Sequence, residues 1–97
     1  MTRPGDAGPY ELDVAAPAAR AIADTLPEAV AAAVIQFITG PLLTSPHRVG
    51  RELVRELTGT WSARRGTFRV PYRIDEERHT VTVVRVSHRA NVYRPLA

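Results

Sequence analysis

Polar and apolar residues alternate in several parts of the chain, and these parts are predicted to be strands. The clearest alternation is TVTVVRV at residues 80–86, and a shorter one is YELDV at residues 10–14. A period of two residues is typical of a strand with one buried and one solvated face. We expect strands at about 10–14, 60–65, 67–75 and 79–87. The connections at Gly66 and at residues 75–78 are short enough for antiparallel hairpins.

Pro71 lies inside the third predicted strand. Proline has no backbone N–H to donate to a neighbouring strand, so within sheets it is found at edges and bulges. We therefore expect a break or a bulge at this position.

Between the first two strands, apolar residues recur at helical spacing. Pro17 occupies a favoured first position for a helix over residues 18–25. A second helix ends at Gly40 and Pro41, and its apolar stripe consists of Val30, Val34, Phe37 and Ile38. The element order β-α-α-β-β-β, with one helical turn expected near residues 90–94, predicts an α+β fold. We expect a helical hairpin on one face of a small, twisted, mainly antiparallel sheet.

Length and composition restrict the class of protein. The 97 residues suffice for one domain, expected at residues 10–97 after a flexible lead-in at residues 1–9. The absence of cysteine excludes disulfides and cysteine-based metal sites. No apolar run approaches the roughly 20 residues that span a bilayer, and residues 1–9 do not have the pattern of a signal peptide. We expect a cytoplasmic protein that does not contact membranes and needs no metal or other cofactor.

The net charge of +3 is unevenly distributed. Residues 1–46 contain two arginines and five acidic residues, whereas residues 47–97 contain eleven arginines and five acidic residues. The second half is therefore strongly basic, which indicates a polyanion or an acidic protein as its partner. Every basic residue other than histidine is an arginine, and the guanidinium group fits phosphate geometry well.

Three short motifs follow one another in the chain: PHRVG at residues 46–50, WSARRGTFRV at 61–70 with Tyr72, and His88-Arg89 followed by VYR at 92–94. Together they resemble RelE-type toxins of the RelE/ParE superfamily, over roughly residues 10–94. The resemblance implies a toxin of a type II toxin–antitoxin system that cleaves mRNA in the ribosomal A site. It also implies a cognate antitoxin, with which the toxin forms a hetero-oligomeric complex that binds operator DNA through the antitoxin.

The resemblance also implies site residues. Arg64 and Arg69 match basic residues of the family's active site, Arg89 matches the arginine after the last strand, and Tyr93 matches the tyrosine of the tail. The chain departs from the family pattern at two positions. Ser62 stands where well-studied members carry a lysine, and Pro71 replaces a branched apolar residue.

RNA cleavage without a metal uses the neighbouring 2′-hydroxyl as the nucleophile. It needs a base, an acid and positive charge around the phosphorane. Arginine stays protonated, so it suits only the last of these roles. Because the chain has no lysine, the proton-transfer group must come from a short list: His47, His79, His88, Tyr10, Tyr72 and Tyr93. We favour His88, because histidine titrates near neutrality and we expect His88 at the end of a strand beside those carrying Arg64 and Arg69.

The arginines are assigned to phosphates, with Arg64, Arg69 and Arg89 at the scissile and flanking positions. Tyr93 would stack on a base or orient the 2′-hydroxyl. Further RNA contacts are expected from Arg48, Arg65, Arg73 and Arg94, although strand alternation sends Arg65 to the opposite face from Arg64.

Two other functions stay open at this point. One is a ParE-like toxin that inhibits DNA gyrase by protein contact and is not an enzyme. The other is a basic binding module whose catalysis has degenerated, which the departure at Ser62 would explain. The ending with His88, Arg89 and Tyr93 favours the nuclease, because a protein that only binds needs no proton-transfer group there.

Overall fold

The computed structural model describes residues 8–53 and 59–88. The predicted helical turn near residues 90–94 therefore lies outside the described residues. The elements are β1 (Glu11–Val14), α1 (Ala16–Arg20) continued by a π-helical turn (Ala21–Thr25), α2 (Glu28–Thr39), α3 (Pro41–Thr44), β2 (Arg51–Glu52), β3 (Trp61–Arg65), β4 (Phe68–Asp75), β5 (Thr80–Val83) and β6 (Ser87–His88).

The described strands form one mixed sheet in the order β1-β5-β4-β3-β2, with β6 paired to the first residues of β4. The pair β1–β5 is parallel and every other pair is antiparallel. The predicted α+β architecture is confirmed. The short elements α3 and β2 were not predicted, since four and two residues are too few to show a period.

The core lies between one face of the sheet and the helices. Alternate residues of the strands point into it, among them Ala63, Val70 and Val81, which are fully buried. They meet the apolar stripe of α2, whose buried members are Val34, Phe37 and Ile38. None of the helices in residues 8–53 and 59–88 is long and apolar enough to cross a membrane.

A bulge lies opposite Pro71. Tyr72 pairs with Val83, while Arg69 pairs with Ser87. Between these two pairs, β4 contains two residues (70–71), whereas the chain that runs beside it contains three (84–86). The segment opposite β4 therefore has one extra residue, which is a β-bulge. The carbonyl of Pro71 accepts a hydrogen bond from the N–H of Val84 at 2.9 Å. The predicted irregularity is confirmed, with β4 continuous and the extra residue in the strand beside it.

The bulge reverses the alternation of side chains beyond it. Val83 and Val86 are three positions apart, yet both are buried, at 0% and 5% exposure. In an uninterrupted strand, residues an odd number of positions apart point to opposite faces. From Val86 onward, even-numbered residues therefore point towards the helices and Ser87 points away from them.

Candidate nucleic-acid interface

Two arginines stand directly opposite each other on the face of the sheet that the helices leave open. Arg64 of β3 pairs with Arg69 of β4, and the next pair along, Ala63 with Val70, is buried on the helix side. Both arginines are exposed. Directly opposed side chains have Cβ atoms about 4.5–5.5 Å apart, and like charges in this position destabilise a sheet. The pair does not help the fold, but it suits the binding of an anion between two guanidinium groups.

Two further arginines lie on the same open face. Arg73 pairs with Thr82 of β5, and Arg51 of β2 pairs with Ser62 of β3. Both are exposed. We call this set the arginine face: Arg51, Arg64, Arg69 and Arg73. It ends at β1, where Asp13 accepts a hydrogen bond from the Thr82 hydroxyl at 3.3 Å.

Arg51 was not assigned a role from the sequence, whereas Arg64, Arg69 and Arg73 were. It lies in a strand of two residues, so no alternation marks it. Its position on the open face depends on the pairing of β2 with β3, which is a tertiary contact. In the sequence, the only signal that could have indicated a function for Arg51 is the presence of other basic residues nearby.

Arg65 does not belong to the arginine face. Its guanidinium carbon lies 4.8 Å from the centre of the Phe37 ring on the helix side, at a distance typical of cation–π contacts. The side chain lines an apolar groove of about 710 Å³ between α2 and the β3–β4 turn. The expected alternation is observed, since Arg65 lies on the opposite face from Arg64, and its role as an RNA contact stays a prediction.

His88 also lies on the helix side. It pairs with Phe68, which is buried, while Ser87 takes the outward position opposite Arg69. The Nε2 atom of His88 is 3.1 Å from the Thr67 hydroxyl oxygen. His88 does lie in a strand beside the one that carries Arg69, as expected, but the bulge places its side chain on the opposite face from Arg64 and Arg69. Its imidazole lies at the rim of the sheet, beside the end of β4 that carries Arg69.

The remaining predicted residues lie elsewhere. Arg48 is exposed in the loop before β2, where its backbone N–H donates to Ser45 at 3.0 Å, and it is not part of a strand. Arg89, Tyr93 and Arg94 lie outside the described residues.

A second polar cluster surrounds Glu76 in the β4–β5 turn. The Tyr10 hydroxyl donates to one carboxylate oxygen at 2.7 Å, and His47 Nε2 is 2.6 Å from the other. The Tyr10 ring stacks on His79 with 3.8 Å between the centroids. The hydrogen bond from Tyr10 lowers the pKa of Glu76, and the single hydrogen bond with His47 and the charges of His47 and His79 add to this against a smaller opposing effect of burial. The pKa of Tyr10 is raised to about 12, mainly by partial burial and secondly by the hydrogen bond to Glu76.

The Glu76 cluster is distant from the Arg64–Arg69 pair. Glu76 comes seven positions after Arg69, which at about 3.3 Å per residue is roughly 23 Å along the direction of β4. The cluster connects the chain before β1, the loop before β2 and the β4–β5 turn. Its geometry therefore fits a structural role, holding these three segments together, and we call it the Glu76 latch. His47, His79 and Tyr10 are therefore too far away to move a proton at the arginine pair.

Tyr72 is excluded from proton transfer for another reason. It is fully buried, and its hydroxyl donates to the Pro46 carbonyl at 2.6 Å. Burial raises its pKa to about 12. Within residues 8–53 and 59–88, no group of three or more histidine, aspartate or glutamate side chains is arranged to hold a metal ion.

Comparison with known proteins identifies the family. The model of the ParE toxin of the type II toxin–antitoxin system parDE matches residues 12–93. Toxin RelG of Mycobacterium tuberculosis (strain ATCC 25618 / H37Rv) is 56% identical over 69 residues, which cover 71% of this chain and 79% of that protein. Toxin RelE of the same strain is 45% identical over 89 residues, covering 92% and 91%.

Solved structures agree with these relatives. The M. tuberculosis toxin–antitoxin complex RelBE2 contains a chain that matches with a TM-score of 0.80 and 49% identity, covering 84% of this chain and 99% of that one. The E. coli RelBE complex matches with a TM-score of 0.65 and 21% identity, covering 81% and 95%, and supports the fold alone. The chain therefore belongs to the ParE toxin family and is a RelE-type toxin of a type II toxin–antitoxin system.

Proposed function

We propose that this toxin is a ribosome-dependent endoribonuclease that cleaves mRNA in the A site. The observation that carries the proposal is the exposed pair of opposed arginines, Arg64 and Arg69, on the open face of the sheet. The names of the relatives, RelE and RelG, support it as well. A toxin that acts on ribosomes works in the cytoplasm, and we assign this protein to that compartment.

The chemistry assigned to the arginine pair is electrostatic. Attack of the 2′-hydroxyl on the adjacent phosphorus forms a 2′,3′-cyclic phosphate and expels the 5′-oxygen. Negative charge grows on the non-bridging oxygens, and guanidinium groups on two neighbouring strands donate hydrogen bonds to them. Donors fixed in advance in this way stabilise the transition state strongly. Neither arginine takes up the proton of the 2′-hydroxyl, because both stay charged.

Proton transfer is assigned to the rim of the sheet and the residues that follow it. His88 lies at that rim, and we propose that Tyr93 and Arg89 complete the site, with Arg94 as a further RNA contact. These three assignments rest on the motif that ends the chain. An open sheet face does not hold an RNA strand in one orientation, and a ribosome would supply the alignment on which such catalysis depends.

The proposed partners are mRNA on the ribosome, with its rRNA, and an antitoxin. The solved relatives include complexes of a RelE toxin with its RelB antitoxin. By analogy, we propose a hetero-oligomeric complex here, with operator DNA bound through the antitoxin. The basic second half of this chain would attract both RNA and an acidic antitoxin segment.

A second function is favoured by one observation, the description of the matching family model as a ParE toxin. The alternative is a toxin that binds DNA gyrase and has no nuclease activity. A basic module without catalysis is the third possibility, suggested by Ser62.

One experiment distinguishes the three functions. The toxin is expressed without antitoxin, the 5′ ends of cellular mRNA are mapped, and replication is followed in the same cells. The nuclease predicts cuts within ribosome-bound codons and arrested translation. Intact mRNA with stalled replication would identify the gyrase inhibitor, and intact mRNA with normal replication the inactive module. Naked RNA is the matched control, and its rapid cleavage would contradict the requirement for ribosomes.

A further inference from the structure

Arg51 occupies a position on the open face that complements the Arg64–Arg69 pair. It stands directly opposite Ser62, which is two residues before Arg64 in β3. Diagonal neighbours across an antiparallel pair lie about 7–8 Å apart, within reach of long side chains. The side chain of Ser62 is small, so the Arg51 guanidinium can extend over it towards the arginine pair.

The backbone at Arg51 is held firmly although β2 is only two residues long. The N–H of Leu53 donates to the Thr60 carbonyl at 2.8 Å and continues the ladder with β3. On the other side, Gly50 lies so close to the sheet that a Cβ atom there would be 2.6 Å from the Ser62 carbonyl oxygen. The buried bond from Tyr72 to Pro46 fixes the loop that precedes it.

These contacts hold an exposed charge at one place on the sheet. The β2 edge contributes little apolar burial of its own, since both of its residues are exposed. A fixed backbone under an exposed arginine restricts where the guanidinium can go, which lowers the entropy lost when it binds a ligand. This is the arrangement that a phosphate contact requires.

We propose that Arg51 is a phosphate-binding residue of the RNA site. It contacts the phosphate next to the one held by Arg64 and Arg69, and it provides the positive charge that Ser62 cannot. The inference deepens the proposed function and rests on it for the identity of the substrate. A bidentate guanidinium at this position would orient the RNA strand across β3 and β4.

The test is single-turnover cleavage of mRNA on programmed ribosomes by purified wild-type toxin, Arg51→Gln and the double variant Arg51→Gln/Ser62→Lys. With toxin below saturation, loss of one charge-assisted hydrogen bond to a flanking phosphate should lower the cleavage rate by about 10- to 10²-fold. Lysine at position 62 returns a charge to the same surface and should restore most of the lost rate, the remainder reflecting its poorer geometry. Arg20→Gln is the charge-matched control, because Arg20 is an exposed residue of α1.

Cleavage by Arg51→Gln at the wild-type rate would overturn the proposal. The proposal would also be overturned if the double variant Arg51→Gln/Ser62→Lys melted at the wild-type temperature but cleaved no faster than Arg51→Gln. If wild-type toxin leaves the mRNA intact, the proposed function has failed, and binding of a single-stranded 2′-deoxy oligonucleotide decides the role of Arg51. One lost phosphate contact reduces the slope of log affinity against log salt by about 0.7, and equal slopes for wild type and Arg51→Gln would then refute it.

Discussion

Replacing Gly50 with alanine tests the close contact that holds β2 against the sheet. The added methyl group would lie 2.5 Å from the Tyr72 hydroxyl oxygen and 2.6 Å from the Ser62 carbonyl oxygen. Non-bonded heavy atoms prefer separations of about 3.5–4.0 Å. Tyr72 is fully buried, and Ser62 lies within β3, paired with Arg51 of β2 on one side and with Pro71 of β4 on the other. The loop before β2 must therefore move outward by about 1 Å, the difference between these distances and the preferred separation.

The free energy of unfolding should fall by about 2–3 kcal/mol. Overpacking costs about 1–3 kcal/mol. Movement of the loop also weakens the 2.6 Å hydrogen bond from Tyr72 to Pro46, and such bonds contribute about 1 kcal/mol. For a domain of this size each kcal/mol lowers the melting temperature by about 4–8 °C, so we expect a decrease of about 10–20 °C.

Denaturant and thermal unfolding of purified Gly50→Ala toxin measure this effect, and Tyr72→Phe makes it specific. Alone, Tyr72→Phe loses the hydrogen bond to Pro46 and costs about 1 kcal/mol. Combined with Gly50→Ala it also removes one of the two obstacles, so its cost should shrink or change sign. Strictly additive effects, or a Gly50→Ala protein within 0.5 kcal/mol of wild type, would refute the close approach of β2.

Two further predictions concern the latch and the site. Glu76→Gln should destabilise the protein by at most about 1 kcal/mol, because the pair is exposed. The folded-state pKa of Glu76 is lowered by the Tyr10 bond, so the stabilisation is present above its ordinary pKa of 4.5 and is lost as pH falls through the lowered value. Urea midpoints of both proteins should converge in acid; a constant difference would contradict the role of Glu76. Arg69→Gln should lower single-turnover cleavage by about 10²-fold. His88→Gln should also lower it by at least about 10²-fold, the typical contribution of a general acid or base; cleavage by His88→Gln at the wild-type rate would refute the assignment of proton transfer to His88.

The sheet could largely be predicted because its strands have one buried and one solvated face. The predicted strands at residues 10–14, 60–65 and 67–75 correspond to β1, β3 and β4 within a residue or two at each end. Alternation also indicated the faces correctly, sending Arg64 outward and Arg65 towards the helices. Local patterns determine these features, so the sequence alone reveals them.

The face on which His88 lies could not be predicted from the sequence. A break or bulge is expected at Pro71, but its effect on the side chains beyond it depends on which strand carries the extra residue. A shift of one residue moves every following side chain to the other face. The burial of both Val83 and Val86 reveals the shift in the structure. In the sequence the valines at 83, 84 and 86 fit either register.

The two faces of the sheet divide stability from the proposed chemistry. Burial of apolar side chains against α2 stabilises the domain from one side, and the Glu76 latch fastens the end of the sheet away from Arg69. The opposed arginines contribute repulsion to the fold, a cost that a domain can carry only if other contacts offset it. Binding of a polyanion removes that repulsion. The same charges that destabilise the free toxin therefore increase its affinity for an anionic ligand, whether RNA phosphate or an acidic antitoxin segment. Such a ligand also raises the free energy of unfolding, by an amount that grows with its concentration relative to its Kd.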